Sequence, residues 1–203
     1  MAIAPRIEGL LLAAGESRRM GYPKPLLRLG DESFLSRSAH SMLAVLPRLI
    51  IVLGAHAERI RRVIPIDSRI AVVENPRWQA GKLSSLKAGI GAIGAQTDGV
   101  MVHLADHPLV QRSTFERVIT EFMTGQGAIV IARYAGKRGH PVIFARSMMV
   151  ELLDAPEDEG ARAVVNRNPS RVVYVDLDDP GVNLDLDTPA DLEQAGLPGP
   201  PKA

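Results

Sequence analysis

Six apolar runs of strand length recur along this 203-residue chain, and they constrain its fold more than any other feature. They are IEGLLLAAG (Ile7 to Gly15), RLIIVLG (Arg48 to Gly54), IAVVENP (Ile70 to Pro76), GVMVHLADHP (Gly99 to Pro108), GAIVIARY (Gly127 to Tyr134) and RVVYVDLDDP (Arg171 to Pro180). Their apolarity is continuous rather than alternating, which predicts strands covered on both faces, as in a parallel sheet. Helical patterns lie between them. SFLSRSAHSMLAVL puts Phe34, Leu35, Ser38, Ala39, Met42, Leu43 and Leu46 on one stripe, and Ser84 to Ile93 and Thr114 to Met123 also read as helices. Strand and helix in alternation predict an open α/β sheet, which binds ligands at the carboxyl ends of its strands. One domain over residues 1–195 is expected, with GLPGPPKA (196–203) as a flexible tail.

Composition narrows the partners. With 24 Lys and Arg against 23 Asp and Glu, the net charge of +1 sets up no global field for nucleic acid or an anionic membrane. Any anion site must be local, and neither partner is expected. The absence of cysteine removes disulfides and thiolate chemistry and fits a cytoplasmic protein. The first apolar run is too short to cross a bilayer, Arg6 and Glu8 flank it, and no secretory signal pattern is visible.

Two motifs invite the wrong chemistry. GIGAIG (Gly89 to Gly94) matches a dinucleotide fingerprint literally, but that fingerprint belongs between a strand and its following helix. Here the glycines fall in a helical segment ahead of the strand at Val100, where small residues pack a helix on a sheet. HLADH (His103 to His107) is strand-like and has Leu104 where a zinc protease needs glutamate on a helix.

Three other segments do carry chemistry. After the first strand the chain loses bulk at Ala13, Ala14 and Gly15, so a base or phosphate can approach the backbone closely. Successive loop N–H groups cradle anions, and Arg19 and Lys24 are placed to neutralise phosphate charge. A solvated basic loop is the plainer alternative. Asp106 ends a strand just before Pro108, where an open α/β sheet holds ligand; one carboxylate with substrate phosphates is a usual magnesium site, and a turn aspartate is the structural alternative. In NLDLDTPADL, Thr188 and Pro189 read as the start of a helix. Asp185, on strand-like backbone, remains available as a second magnesium ligand. Asp187 shares its face and competes for the role. A basic glycine loop with two carboxylates suits nucleotidyl transfer, in which metal and cations spread transition-state charge.

LAAGESRRMGYPK resembles the signature L-A-A-G-x-S-x-R-M-G-x-x-K of the MobA-like nucleotidyltransferases, particularly their molybdenum cofactor cytidylyltransferase branch. NPRWQAGKLSSLKAGI, LADHPLV, GHPVIF, GARAVV and DLDTPADL follow in the family's order, over roughly Ile7 to Ala195. The resemblance implies a Rossmann-like three-layer α/β/α fold and transfer of a nucleoside monophosphate from CTP or GTP onto a phosphorylated acceptor. In the molybdenum branch the acceptor is molybdopterin, and a molybdoenzyme is the expected client. By motif position Leu12, Ala13, Ala14 and Gly15 contact the nucleotide, Arg19 and Lys24 hold its phosphates, Ser84 and Ser85 approach the base, and Asp106 and Asp185 bind Mg2+, with Mn2+ as a substitute. Lys24, Arg19 and Asp106 are the expected catalytic residues.

Ala14 favours CTP, because the guanylyl-transferring branch has a second glycine there. Two departures, His107 for the branch's glutamine and Gly81-Lys82-Leu83 for G-M-S, bear on the acceptor. A sugar phosphate, an isoprenoid-precursor alcohol phosphate or phospholactate stays open as acceptor, as does a non-catalytic cofactor-delivery module.

Overall fold

The computed structural model describes residues 6–201. Seven strands form the central sheet: β1 (Ile7–Ala13), β4 (Leu49–Leu53), β5 (Ile70–Glu74), β6 (Gly99–Leu104), β7 (Ile129–Tyr134), β8 (Lys137–Ala145) and β9 (Val172–Asp176). β2 (Arg28–Leu29) and β3 (Glu32–Ser33) make a separate small hairpin. The sheet order is β5-β4-β1-β6-β8-β7-β9. All pairings are parallel except the two made by β8, which runs against both β6 and β7. The mostly parallel α/β architecture is therefore as the apolar runs predict, with one reversed strand.

Alternate residues of these strands feed two cores, which explains why their apolarity is unbroken. Leu11, Ile51, Met101 and Val130 pack under α1 (Phe34–Leu43), α2 (Ala57–Arg61) and α4 (Arg112–Met123). Leu10, Ile50, Val102 and Ile131 pack on the opposite face, under α3 (Lys82–Ile90), α5 (Met149–Asp154) and α6 (Ala161–Arg167). Gly89 lies where α3 crosses the sheet: a Cβ there would stand 3.0 Å from Leu10 and Val52. That is the packing role expected of GIGAIG.

β1 is the topological switch. From it the chain winds out to β4 and β5, then crosses to β6 on the other side. The crevice at the carboxyl ends of β1 and β6 is where such a sheet binds ligand. A third, smaller cluster builds one wall of it. Met20 and Leu27 from the loop after β1 pack with Phe34, Leu186 and Leu192. This ties the basic loop to the C-terminal α7 (Pro189–Gln194), which starts with Thr188 as N-cap in a capping box with Asp191. Asn183 to Asp187 pairs with no strand and has no regular structure. Its alternating pattern comes instead from Leu184 and Leu186 packing into this side cluster.

Candidate active site

The β1 and β6 registers pair Leu12 with Leu104, and the Ala105 N–H donates to the Leu12 carbonyl across 3.0 Å. The Ala13–Gly15 turn and Asp106 therefore emerge side by side. Between them opens a cavity of about 350 Å³, lined by Leu12 to Arg18, Lys24, Trp78, Lys82, Ser85 and Asp106 among others. Ala14 is set by its neighbours, since its carbonyl accepts from Ala55 N at 3.0 Å. A Cβ on Gly54 would stand 2.8 Å from the Ala14 Cβ. Gly15 is different: nothing lies within 4 Å of a Cβ built there. The bare backbone at that point answers no internal packing need.

Lys24 is drawn into this cavity by its loop. Ser17, held at φ 59°, accepts the Lys24 N–H on its Oγ at 3.0 Å. The Lys24 ammonium then donates to Asp106 Oδ2 at 2.5 Å and to Asp187 Oδ1 at 2.7 Å. Arg19 Nη2 reaches the other Asp187 oxygen at 2.6 Å. Side-chain exposure is 12% for Lys24, 21% for Asp106 and 29% for Asp187, so the triad is half-shielded from water.

The electrostatics follow from that shielding. Burial pushes the Asp106 carboxyl up, but the charge of Lys24, then that of His107 and the Lys24 hydrogen bond, hold it well below the usual carboxylate range. Burial works to lower the Lys24 ammonium, and Asp106 and Asp187 together raise it. The bond from Lys24 lowers Asp187, with burial opposing it. All three groups are charged at neutral pH: one cation lies between two carboxylates.

Asp185 does not join them. Its side chain is 81% exposed, and His107 Nε2 lies 4.0 Å from its Oδ1. The carboxylates brought to one point are Asp106 and Asp187, because Leu186 is anchored in the side cluster and Asp187 is fixed at the entry to α7, its N–H bound by Asp191 Oδ2 at 3.0 Å. Sequence reasoning named Asp187 only as the competitor; its place directly before a capped helix was the available signal.

The two serines also part company. Asn75, buried, donates to Ser84 Oγ at 2.9 Å and to Ser85 Oγ at 3.0 Å. The Ser84 hydroxyl turns to the Arg77 and Gly81 carbonyls at 2.9 and 2.8 Å. Ser85 lines the cavity, and its proton has no hydrogen-bond acceptor among the described residues. Ser17, Asn75 and Trp78 shape the site without having been expected there. Trp78 lines the cavity wall.

Two hard carboxylate donors meeting at one point fit a divalent ion. No third His, Cys, Asp or Glu completes a metal cluster among the described residues. Phosphate oxygens and water would fill the remaining positions, as magnesium prefers. Among the described residues no helix is long and apolar enough to cross a membrane.

A mostly parallel switch-point sheet, a bare basic loop and converging carboxylates define a nucleotidyltransferase. The chain belongs to the MobA-like NTP transferase family, whose domain description matches residues 9–172. It is similar to the molybdenum cofactor cytidylyltransferase of Escherichia coli K12, at 26% identity over 186 residues, 92% of this chain and 93% of that one. It is 29% identical over 194 residues to the nicotine blue oxidoreductase of Paenarthrobacter nicotinovorans, covering 91% of this chain and 93% of that protein. Among solved structures, Rv0371c of Mycobacterium tuberculosis H37Rv superposes with a TM-score of 0.82 at 31% identity, over 95% of this chain and 98% of that one. Its manganese complex gives 0.77 at 29% identity, over 93% and 97%. Membership of the family implies a nucleoside triphosphate and a phosphorylated acceptor.

Proposed function

We propose that the protein transfers CMP from CTP to the phosphate of molybdopterin, releasing diphosphate. The observation that carries this reading is the Lys24 ammonium held between Asp106 and Asp187 at the mouth of the bare Ala13–Gly15 loop. A phosphate oxygen of the acceptor attacks the α-phosphorus of the nucleotide, and the bond from that phosphorus to the diphosphate breaks. The leaving diphosphate gains negative charge, which Lys24 and Arg19 stabilise from fixed positions. The loop N–H groups cradle the triphosphate, and the free Ser85 proton, on a hydroxyl steadied by Asn75, donates to the base.

Asp106 and Asp187 hold the metal in this reading, with Mg2+ as the working ion; the manganese complex of the mycobacterial relative supports a divalent site. When bound, the ion supplies Lewis-acid stabilisation of phosphate charge. Cytosine over guanine is supported by Ala14 and by the name of the Escherichia coli relative. The Ala14 methyl leaves less room for a purine.

The test is diphosphate release from each of the common nucleoside triphosphates, with molybdopterin and Mg2+. CTP should be used well ahead of GTP, and Ala14→Gly should narrow that preference. Equal use of both by the parent protein would remove the base assignment, and no release with any nucleotide would remove the acceptor.

A further inference from the structure

β6 carries a buried histidine that the reaction above does not use. His103 has no exposed surface and packs edge-on to Phe115 of α4, ring centroids 5.0 Å apart. Its surroundings combine apolar side chains, among them Met101, Ala105 and Val118, with the rings of His107 and His140 at 6.3 and 6.4 Å between centroids. An apolar side chain would suit that layer better. Burial first, then His107 and His140, hold the imidazole neutral, so it carries one proton and one bare nitrogen. Its Nε2 lies 3.2 Å from the His107 carbonyl. A carbonyl only accepts, so the proton is on Nε2, and Nδ1 is left as a buried acceptor without a partner. Such a nitrogen costs stability.

The bond that Nε2 makes is to the turn that presents Asp106. At its near end that turn is fixed by β1, through Ala105 N to Leu12 O at 3.0 Å. At its far end the His107 carbonyl is held by His103 at 3.2 Å and, more loosely, by Val110 N at 3.5 Å. Asp106 stands between these two anchors.

We propose that His103 is a positioning residue for Asp106: its Nε2–H pins the His107 carbonyl and so fixes the direction from which the carboxylate meets Lys24 and a metal. This rests on the role given to Asp106 above. It also accounts for a buried imidazole nitrogen left without a partner, where stability is given up for the geometry of one carboxylate.

His103→Phe and His103→Gln separate positioning from packing. Phenylalanine fills the apolar layer and removes both nitrogens; glutamine keeps a donor at the reach of Nε2. Mn2+ affinity is measured by titration of the full-length protein with the metal alone, beside the melting temperature and turnover. His103→Phe should melt at or above the parent temperature, yet bind Mn2+ about tenfold more weakly, the scale of losing a residue that orients a ligand. His103→Gln should recover most of that affinity. Parent-like Mn2+ affinity in His103→Phe overturns the proposal. So does equal loss in both variants, and, where only the glutamine variant folds, a loss of about tenfold in the Mn2+ affinity of that variant. Asp106→Asn is the control: if it keeps Mn2+ affinity and turnover, the role of Asp106 itself falls. If it loses them while His103→Phe does not, only the positioning falls.

Discussion

Lys24 and Asp106 meet across 2.5 Å at the junction of β1 and β6, and the same ammonium holds Asp187 at 2.7 Å. The lysine therefore occupies the space that a dication needs. A nucleotide's phosphates offer Lys24 a competing set of anionic partners, and its departure would free two ionised carboxylates. Lys24→Met should then raise affinity for Mn2+ alone, by about tenfold if roughly 1.4 kcal/mol of competition is removed. Turnover should fall by at least about a hundredfold, as when a fixed charge is taken from an anionic transition state. Weaker Mn2+ binding in Lys24→Met would mean that the ammonium does not stand in the metal's place.

Glycine substitutions divide ligand space from packing. A Cβ at Gly15 meets nothing within 4 Å, so Gly15→Ala should leave stability within about 0.5 kcal/mol of the parent. Its methyl would project into the space that the proposed function gives to the triphosphate, and the KM for CTP should rise roughly tenfold, a clash of about 1.4 kcal/mol. Gly54→Ala is the opposite case. Its Cβ would stand 2.6 Å from the Trp78 Cβ and 2.8 Å from that of Ala14, and overpacking of this kind costs about 1–3 kcal/mol. Chemical denaturation and steady-state kinetics on both variants check the pair; a destabilised Gly15→Ala with unchanged KM would contradict it.

Acid sensitivity should come partly from histidines. Burial, then His107, pushes His140 down to about 3, and His103 is lowered well below its ordinary value for the same first reason. In the unfolded chain both return to about 6.5. Below that value the unfolded state binds protons that the folded state refuses, so stability is full above about pH 6.5 and falls as the pH drops. Each histidine adds a slope of about 1.4 kcal/mol per pH unit. Urea unfolding between about pH 7 and 5 should show His103→Phe losing one proton's worth of that slope, and an unchanged slope would contradict the assignment.

Much of this was legible in the sequence. Unbroken apolar runs report strands with helices on both faces, and Asp106 before Pro108 marks a strand end at the ligand side. β8 was not legible as a strand. Its first residues, Lys137 and Arg138, are charged and exposed, and Pro141 interrupts what is left, so only its pairing with β6 and β7 defines it. The choice between Asp185 and Asp187 was equally hidden. Alternation puts both on one face of a strand, but the segment is no strand, and the cluster of Met20, Leu27, Phe34, Leu186 and Leu192 decides which carboxylate turns inward. The trio His103, His107 and His140, with rings 5.5 to 6.4 Å apart, comes from a strand, its turn and a neighbouring strand that no local pattern links.

The pairing of Asp106 with Asp187 is the centre of the account, and single replacements in the diphosphate-release assay test it most directly. Asp106→Asn and Asp187→Asn should each cut turnover by about a hundredfold or more, and the double variant should lose little beyond either alone, because both disable one shared site. Asp185→Asn, altering an 81% exposed carboxylate, should stay within about threefold of the parent, as surface changes do. Turnover lost in Asp185→Asn and kept in Asp187→Asn would contradict the site described here.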